Sequence, residues 1–143
     1  MYIPEGYGTM FPYIVASEAI AYLDFLKQAF GATELGRTVL PDRRVANVRV
    51  RIGTTSFMLS EAGHDSQPTR SAFYLYVEDV DASYRRALEC GAEDLFAPQD
   101  MPYGDRQGGV KDPAGNIWWV STRTKRVPYD ATVVKLRNRS VLR

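Results

Sequence analysis

Hydrophobic and polar positions follow the same order twice along the chain. The stretch PYIVASEAIAYLDFLKQAFGATEL begins with a strand-like run, continues with apolar residues at helical spacing and ends after a Gly-Ala pair. The stretch FYLYVEDVDASYRRALECGAEDL repeats this order further along. Self-similarity of this length predicts two copies of one structural unit.

The two predicted helices have matching ends. Ser17 and Asp79 are predicted N-caps, and Gly31 and Gly91 stand where a helix end favours a left-handed residue. The apolar positions recur at helical spacing, at Ile20, Leu23 and Phe30 in the first copy and at Val80, Tyr84 and Leu88 in the second.

Each helix is followed by three strand-like stretches. They cover about 33–40, 44–52 and 56–61 in the first half, and 93–98, 107–111 and 117–122 in the second. The order β-α-β-β-β therefore occurs twice and predicts an α+β fold with each helix on one face of its sheet. The predicted division is an N-terminal arm over 1–8, a first module over 9–62, a linker over 63–70, a second module over 71–122 and a basic C-terminal extension over 123–143.

Alternation along a strand assigns each side chain to one of two faces. The face under the helix is expected to hold Phe11, Tyr13, Val15, Phe73, Leu75, Val77, Trp118 and Val120. The opposite faces of the two sheets are expected to curl towards each other and enclose a cleft. Its predicted lining is Met10, Pro12, Ile14, Ala72, Tyr74, Tyr76, Trp119 and Ser121.

Composition limits the class of protein. The chain of 143 residues is 45% hydrophobic and 24% charged, which predicts a folded, soluble protein. The net charge of +1 gives no argument for nucleic acid or membrane as a partner. The segment 123–143 nevertheless carries seven Lys or Arg residues and one acid. Such a segment could meet nucleic acid or anionic lipid, but we expect it to pack as an arm on an acidic surface of its own chain or of a partner subunit.

The sequence contains one cysteine and no signal for export. Cys90 excludes an internal disulfide framework, and its place late in the second helix predicts a buried, inert thiol. No apolar run approaches the length of a membrane span, and the N-terminus lacks the pattern of a signal peptide. The expected location is the cytoplasm.

Three segments together resemble the vicinal oxygen chelate superfamily of glyoxalases, extradiol dioxygenases and bleomycin resistance proteins. They are YLYVEDVDASYRRALECGA, YGDRQGGVKDPAGNIWWV and, more loosely, the first repeat quoted above. With the matched repeat they cover about residues 8–122. The resemblance implies the glyoxalase/bleomycin resistance fold, in which two paired βαβββ modules form a curved mixed sheet around a cleft.

The resemblance also implies a metal position, but the residues there are unsuitable. In metal-using members a divalent ion is held by side chains from the first and last strands of each module. The corresponding positions are Met10, Met58, Ala72 and Trp119, none of which suits a divalent ion. His64, the sole histidine, falls in the linker and is expected to be solvated. We therefore expect a metal-free branch without a cofactor.

The predicted cleft is aromatic and has polar residues at its edges. In ANVRVRI, Val48, Val50 and Ile52 are expected to be buried, and the residues that alternate with them are expected to face the other way. Two of these outward residues are Arg49 and Arg51, which are expected either to hold an anion or to be solvated or paired with acids. Asp105 is expected at the rim, where it could hold Arg106 as an ion pair. The complete predicted ligand-binding set is Trp119, Tyr74, Tyr76, Met10, Met58, Ala72, Asn47, Arg49, Arg51, Tyr103, Arg106 and Ser121.

These features favour a metal-free protein that binds a small planar or aromatic ligand, similar to bleomycin resistance proteins and acting by antibiotic sequestration. A homodimer is expected, because related family members shape their clefts from two subunits. One alternative is a lyase, isomerase or dioxygenase with an atypical active site, or a metal-free catalyst that uses Glu61 or Tyr103. A second alternative is an interaction module whose cleft is filled by its own side chains.

Overall fold

A computed structural model describes residues 1–127 of the chain. It contains two βαβββ modules, so the predicted α+β class and element order are confirmed. The first module comprises β1 (Tyr13–Ala16), α1 (Ala19–Phe30), β2 (Thr33–Val39), β3 (Val45–Ile52) and β4 (Thr55–Glu61). The second comprises β5 (Ala72–Tyr76), α2 (Val80–Glu89), β6 (Glu93–Asp100), β7 (Asp105–Lys111) and β8 (Ile117–Arg123).

Each module forms a four-stranded mixed sheet with the same topology. The strand orders are β1-β4-β3-β2 and β5-β8-β7-β6. The first strand of each module pairs in parallel with the last, which places Tyr13 beside Met58 and Tyr74 beside Trp119. The remaining pairs are antiparallel. The register therefore brings corresponding positions of the two modules to the same place in each sheet.

The ends of the helices agree with prediction except at the start of α1. Gly31 has φ 69° at the end of α1, and the Asp79 side chain accepts from Ala82 N at the start of α2. Ser17 is not the N-cap of α1, so that prediction is wrong. Glu18 holds the N-cap position with φ 55°, and the Glu61 carboxylate of β4 accepts from the N–H groups at the helix start. A tertiary contact thus replaces the local side-chain cap.

The helix-bearing faces of the two sheets share one hydrophobic core. Phe30 at the end of α1 lies 4.6 Å, between ring centroids, from Trp118 of the second module. Trp118 in turn packs at 4.7 Å on Phe73. Residues of both modules therefore belong to a single buried cluster, and the opposite, open face of each sheet points away from it.

The face assignment of β1 was wrong, whereas that of β5 and β8 was right. Ile14 is 2% exposed in the core, and Tyr13 is 51% exposed on the open face. The predicted strand ended at Val15, but β1 ends at Ala16, which is buried. A shift of one residue exchanges the two faces of a strand. Phe73, Leu75, Trp118 and Val120 belong to the core as expected.

The Asp-Pro-x-Gly-Asn turn fastens the second module to α1. Tyr22 of α1 donates a 2.6 Å hydrogen bond to Asp112 Oδ2, which also accepts from Trp118 Nε1 at 2.8 Å. Asn116 Nδ2 donates to the Tyr22 hydroxyl at 3.1 Å. Burial, and next the charge of Asp112, raise the pKa of Tyr22 well above its usual range. The motif thus explains why Trp118 is held in the core while its neighbour faces outwards.

Two further predictions concern the basic extension and the absence of a membrane-spanning segment. Most of the predicted basic extension, residues 128–143, lies outside the described residues, and so does its expected packing on an acidic surface. Within residues 1–127, no helix is long and apolar enough to cross a membrane.

Candidate functional site

The open face of the second sheet carries most of the predicted ligand-binding aromatic residues. Tyr74 pairs in register with Trp119, and Tyr76 pairs with Ser121. Gln107 of β7 lies beside Ser121 on the next strand. Because residues paired in register share a face, these side chains lie together. We call this surface the tyrosine face, defined by Tyr74, Tyr76, Tyr103, Asp105, Gln107, Trp119, Ser121 and Arg123.

Asp105 is the centre of the hydrogen bonding on the tyrosine face. Its side chain is 2% exposed. Its Oδ2 atom accepts from the hydroxyls of both Tyr74 and Tyr76, the latter at 2.9 Å. Its Oδ1 atom lies 3.3 Å from Arg123 Nε and makes no hydrogen bond. One buried carboxylate therefore orients two phenols and neutralises one guanidinium.

This arrangement fixes the two tyrosine rings while leaving them accessible. Their centroids are 5.2 Å apart, and the residues are 47% (Tyr74) and 51% (Tyr76) exposed. Burial, and then the hydrogen bond to Asp105, raise the pKa of Tyr74 above its usual range. Tyr74 is therefore a neutral phenol near neutral pH. Its hydrogen is directed at Asp105, and its oxygen, which also interacts with the Ser121 hydroxyl, keeps one further lone pair for a ligand that donates a hydrogen bond.

A second set of hydrogen bonds supports the same surface. Tyr103 donates to Gln107 Oε1 at 2.6 Å, and Gln107 Nε2 donates to Ser121 Oγ at 2.8 Å. Arg123 Nη1 donates to the Tyr103 carbonyl at 2.9 Å. The result is an open depression of about 390 Å³ lined by Tyr74, Tyr76, Tyr103, Asp105 and Arg123.

Arg106 does not belong to this site, and its expected ion pair with Asp105 is wrong. Arg106 donates to both carboxylate oxygens of Asp81 on α2, at 2.9 and 3.0 Å, and lies 3.5 Å from Asp100. Adjacent strand residues face opposite ways, so Arg106 points to the helix while Asp105 points to the open face. Asp81 and Asp100 raise the pKa of Arg106 further above its usual value.

Sequence reasoning missed Arg123 as the partner of Asp105. The predicted basic extension begins at this residue, but Arg123 ends β8 and pairs in register with Asp105. The signal was available in the alternation of β8, since Arg123 follows Trp119 and Ser121 at intervals of two.

The open face of the first sheet holds the other predicted polar residues. Asn47 Nδ2 lies 3.5 Å from the Tyr13 hydroxyl, and Arg51 Nη1 donates to Ser56 Oγ at 3.3 Å. Arg49 pairs in register with Met58, so both share this face. We call it the arginine face, defined by Tyr13, Asn47, Arg49, Arg51, Ser56 and Met58. Because the shared core lies on the helix-bearing sides, the two open faces do not enclose a cleft within one chain, contrary to our expectation.

The remaining candidates lie elsewhere. Met10 precedes β1 and is 92% exposed, and Ala72 is exposed at the start of β5. Glu61, considered as an isolated acid or base, is engaged by the start of α1. Cys90 ends α2 and is half-buried rather than fully buried.

Comparison with known proteins agrees with this architecture. A model of the Glyoxalase/Bleomycin resistance protein/Dioxygenase superfamily matches residues 13–120. The protein belongs to this superfamily.

Relatives within the superfamily include mycobacterial proteins. An uncharacterized protein of Mycobacterium bovis is 35% identical over 130 residues, which cover 83% of this chain and 86% of that protein. An uncharacterized protein of Mycobacterium tuberculosis H37Rv is also 35% identical over 130 residues, with 83% and 76% covered.

Solved structures of the superfamily share the fold. TioX from Micromonospora sp. ML1 matches with a TM-score of 0.69 and 23% identity, over 81% of this chain and 98% of that one. A member from Sphaerobacter thermophilus gives a TM-score of 0.66 and 22% identity, over 85% and 99%.

The metal position that the superfamily implies does not fit the residues present here. Met58 and Trp119 lie on the two open faces, but they offer a thioether and an indole rather than oxygen or imidazole donors. Within residues 1–127, no three His, Cys, Asp or Glu side chains come together as a metal-binding group. The donor set therefore gives a divalent ion nothing to bind at the expected place.

Proposed function

We propose that this protein binds a small planar molecule on the tyrosine face without transforming it and without a metal. The observation that carries the proposal is the arrangement around Asp105. A buried carboxylate holds two tyrosines in fixed positions and leaves their rings half-exposed beside Trp119. Oriented aromatic surface with polar tips suits a flat ligand that carries hydrogen-bond donors.

The chemistry of the site favours binding over catalysis. The raised pKa of Tyr74 keeps its proton in place, so a phenolate base is disfavoured. Tyr103, our other catalytic candidate, donates its hydrogen to Gln107, and its pKa is raised by burial and by Asp105. Glu61 is occupied at the start of α1. The groups considered for acid-base work are thus committed to structure.

We also propose that a homodimer completes the site. Tyr13 on the arginine face and Tyr74 on the tyrosine face are both half-exposed in the single chain. A two-fold axis would place the arginine face of one protomer against the tyrosine face of its partner, twice. Each of the two clefts would then combine aromatic rings from one subunit with arginines from the other.

Sequestration of a toxic planar compound in the cytoplasm, as in antibiotic resistance, is the biological role that fits such a protein. Superfamily membership, and a first 127 residues that bring together no metal-binding group of His, Cys, Asp or Glu, support this part of the proposal. It requires affinity but no turnover.

Calorimetric titration with 2-naphthol, 2-naphthamide and 2-naphthoate tests the proposal. We expect at least one probe to bind with a Kd below about 1 mM. Tyr74→Phe and Tyr76→Phe should each weaken the binding of the hydrogen-bond donors 2-naphthol and 2-naphthamide about tenfold by removing a polar contact. Tyr84→Phe is the matched control, because its hydroxyl also donates to an aspartate, Asp94, but next to α2. Metal analysis of the same preparation is expected to show no stoichiometric metal. Failure of all three probes to bind, or one metal per chain, would contradict the proposal.

A further inference from the structure

The arginine face carries two positive charges, Arg49 and Arg51, on neighbouring outward positions of β3. In register, Arg49 lies between Gly36 of β2 and Met58 of β4, and Arg51 lies between Thr33 and Ser56. Within residues 1–127 neither arginine forms an ion pair. Both side chains are half-buried, which strengthens their attraction for an anion relative to a fully solvated charge.

The absence of a side chain at Gly36 provides the space that the Arg49 guanidinium occupies. A Cβ atom at Gly36 would lie 2.8 Å from Arg49 Nη2 and 3.5 Å from Cζ and Nε. Gly36 does not have the positive φ that would itself require glycine. Glycine at this position leaves room for the guanidinium beside β2, and an alanine there would shift this flexible end of the Arg49 side chain.

We propose that Arg49, held against Gly36, binds the carboxylate of an aromatic acid, with Gly36 as a positioning residue. The inference rests on the proposed function and narrows its ligand class. A guanidinium binds a carboxylate through two parallel N–H···O bonds, and this geometry depends on where the planar group lies. In the proposed dimer, the ring of the ligand would lie on the partner's tyrosine face and its carboxylate on Arg49.

The test compares 2-naphthoate with its neutral isostere 2-naphthamide by calorimetry, using wild type, Arg49→Gln and Gly36→Ala. Wild type is expected to bind the acid at least about tenfold more tightly than the amide. Both variants are expected to lose this preference while their affinity for the amide stays the same. Circular dichroism and thermal unfolding verify that the variants are folded.

Arg37→Gln is the matched control. Arg37 lies next to Gly36, but it is bound to Glu34 on the helix-bearing side, so its loss should leave the preference for the acid unchanged. Equal affinity of wild type for acid and amide, or a full preference retained in Arg49→Gln, would overturn the inference and leave the proposed function standing. A full preference retained in Gly36→Ala alone would overturn the positioning role of Gly36. If neither 2-naphthoate nor 2-naphthamide bound, the inference would be overturned, and the proposed function would be overturned with it if 2-naphthol also failed to bind.

Discussion

Tyr76 donates a 2.9 Å hydrogen bond to Asp105 Oδ2, the same atom that accepts from Tyr74. Tyr76 and Asp105 come from different strands of the second sheet, β5 and β7, with β8 between them. A carboxylate buried at this place has no role in the hydrophobic core, which lies on the other side of the sheet. Its contacts orient side chains on an open face, as expected of a binding surface.

Loss of the Asp105 carboxylate should destabilise the protein as well as its tyrosine face. Asp105→Asn leaves the buried contacts to two phenols and Arg123 imperfectly satisfied, so we expect a loss of about 1–3 kcal/mol in the free energy of unfolding. Urea denaturation measures this loss. Asp94→Asn, which weakens an exposed bond to Tyr84, should change stability by less than about 0.5 kcal/mol. Equal effects of the two variants would refute the structural role of Asp105.

The hydroxyl of Tyr22 should stabilise the protein in a pH-dependent way. Tyr22→Phe removes the bond to Asp112 and is expected to cost about 1–3 kcal/mol near neutral pH. Because folding raises the pKa of Tyr22, this stabilisation is complete below pH 10.0, the ordinary value, and is lost at higher pH. Wild type should therefore lose more stability than the variant as the pH rises above about 10.

Unfolding curves at several alkaline pH values provide the comparison. Tyr13→Phe serves as the control, because its half-exposed hydroxyl has only a 3.5 Å contact with Asn47. A Tyr22→Phe variant with the same alkaline profile as wild type would show that the contact with Asp112 contributes nothing to the pH dependence.

The Glu34–Arg37 pair should stabilise the protein near neutral pH and lose this contribution in strong acid. The hydrogen bond from Arg37 lowers the pKa of Glu34 from 4.5 to about 2. The stabilisation is therefore present above pH 4.5 and is lost as the pH falls towards about 2. Over this range wild type should lose more stability than Glu34→Gln. The difference between the two losses should stay below about 1 kcal/mol, because the ion pair is partly exposed. Thermal unfolding measured between about pH 2 and pH 4.5 tests this prediction. An equal change of stability in wild type and Glu34→Gln would contradict it.

A dimer with shared clefts predicts complementation between two defective subunits. Arg49→Gln impairs the arginine face, and Tyr74→Ala, which removes the aromatic ring, impairs the tyrosine face. In a mixed dimer with one subunit of each variant, both defects fall in the same cleft. The other cleft combines two intact faces. Purified mixed dimers should bind 2-naphthoate with wild-type affinity at half the stoichiometry. A Kd intermediate between those of the variants, at full stoichiometry, would exclude shared clefts.

The fold could be predicted because local patterns and the repeat agreed. Helical spacing, the cap at Asp79 and the left-handed Gly31 each marked an element end that the structure confirms. The assignment of side chains to the two faces failed only at β1. This strand is too short for its own sequence to determine which residues face the core. Four residues, Tyr13–Ala16, take their register from β4, which is a long-range pairing that a single strand does not encode.

The site was less predictable for a related reason. Tyr74, Tyr76 and Trp119 followed from alternation, but Asp105 and Arg123 come together through the β7–β8 register. Two neighbouring opposite charges, Asp105 and Arg106, suggested a local ion pair, whereas strand geometry turns them to opposite faces. Arg49 was selected from the sequence, but its close contact with Gly36 depends on the pairing of β2 with β3.

Tryptophan fluorescence tests the central claim most directly, because the two indoles occupy opposite faces of the same strand. Trp119 lies on the tyrosine face, and Trp118 is buried with its Nε1 bonded to Asp112. We predict that 2-naphthoate changes the emission of wild type in a saturable way and that Trp119→Phe, which retains Trp118, abolishes this change. A response of the same size and midpoint in Trp119→Phe would place the ligand elsewhere and contradict the account.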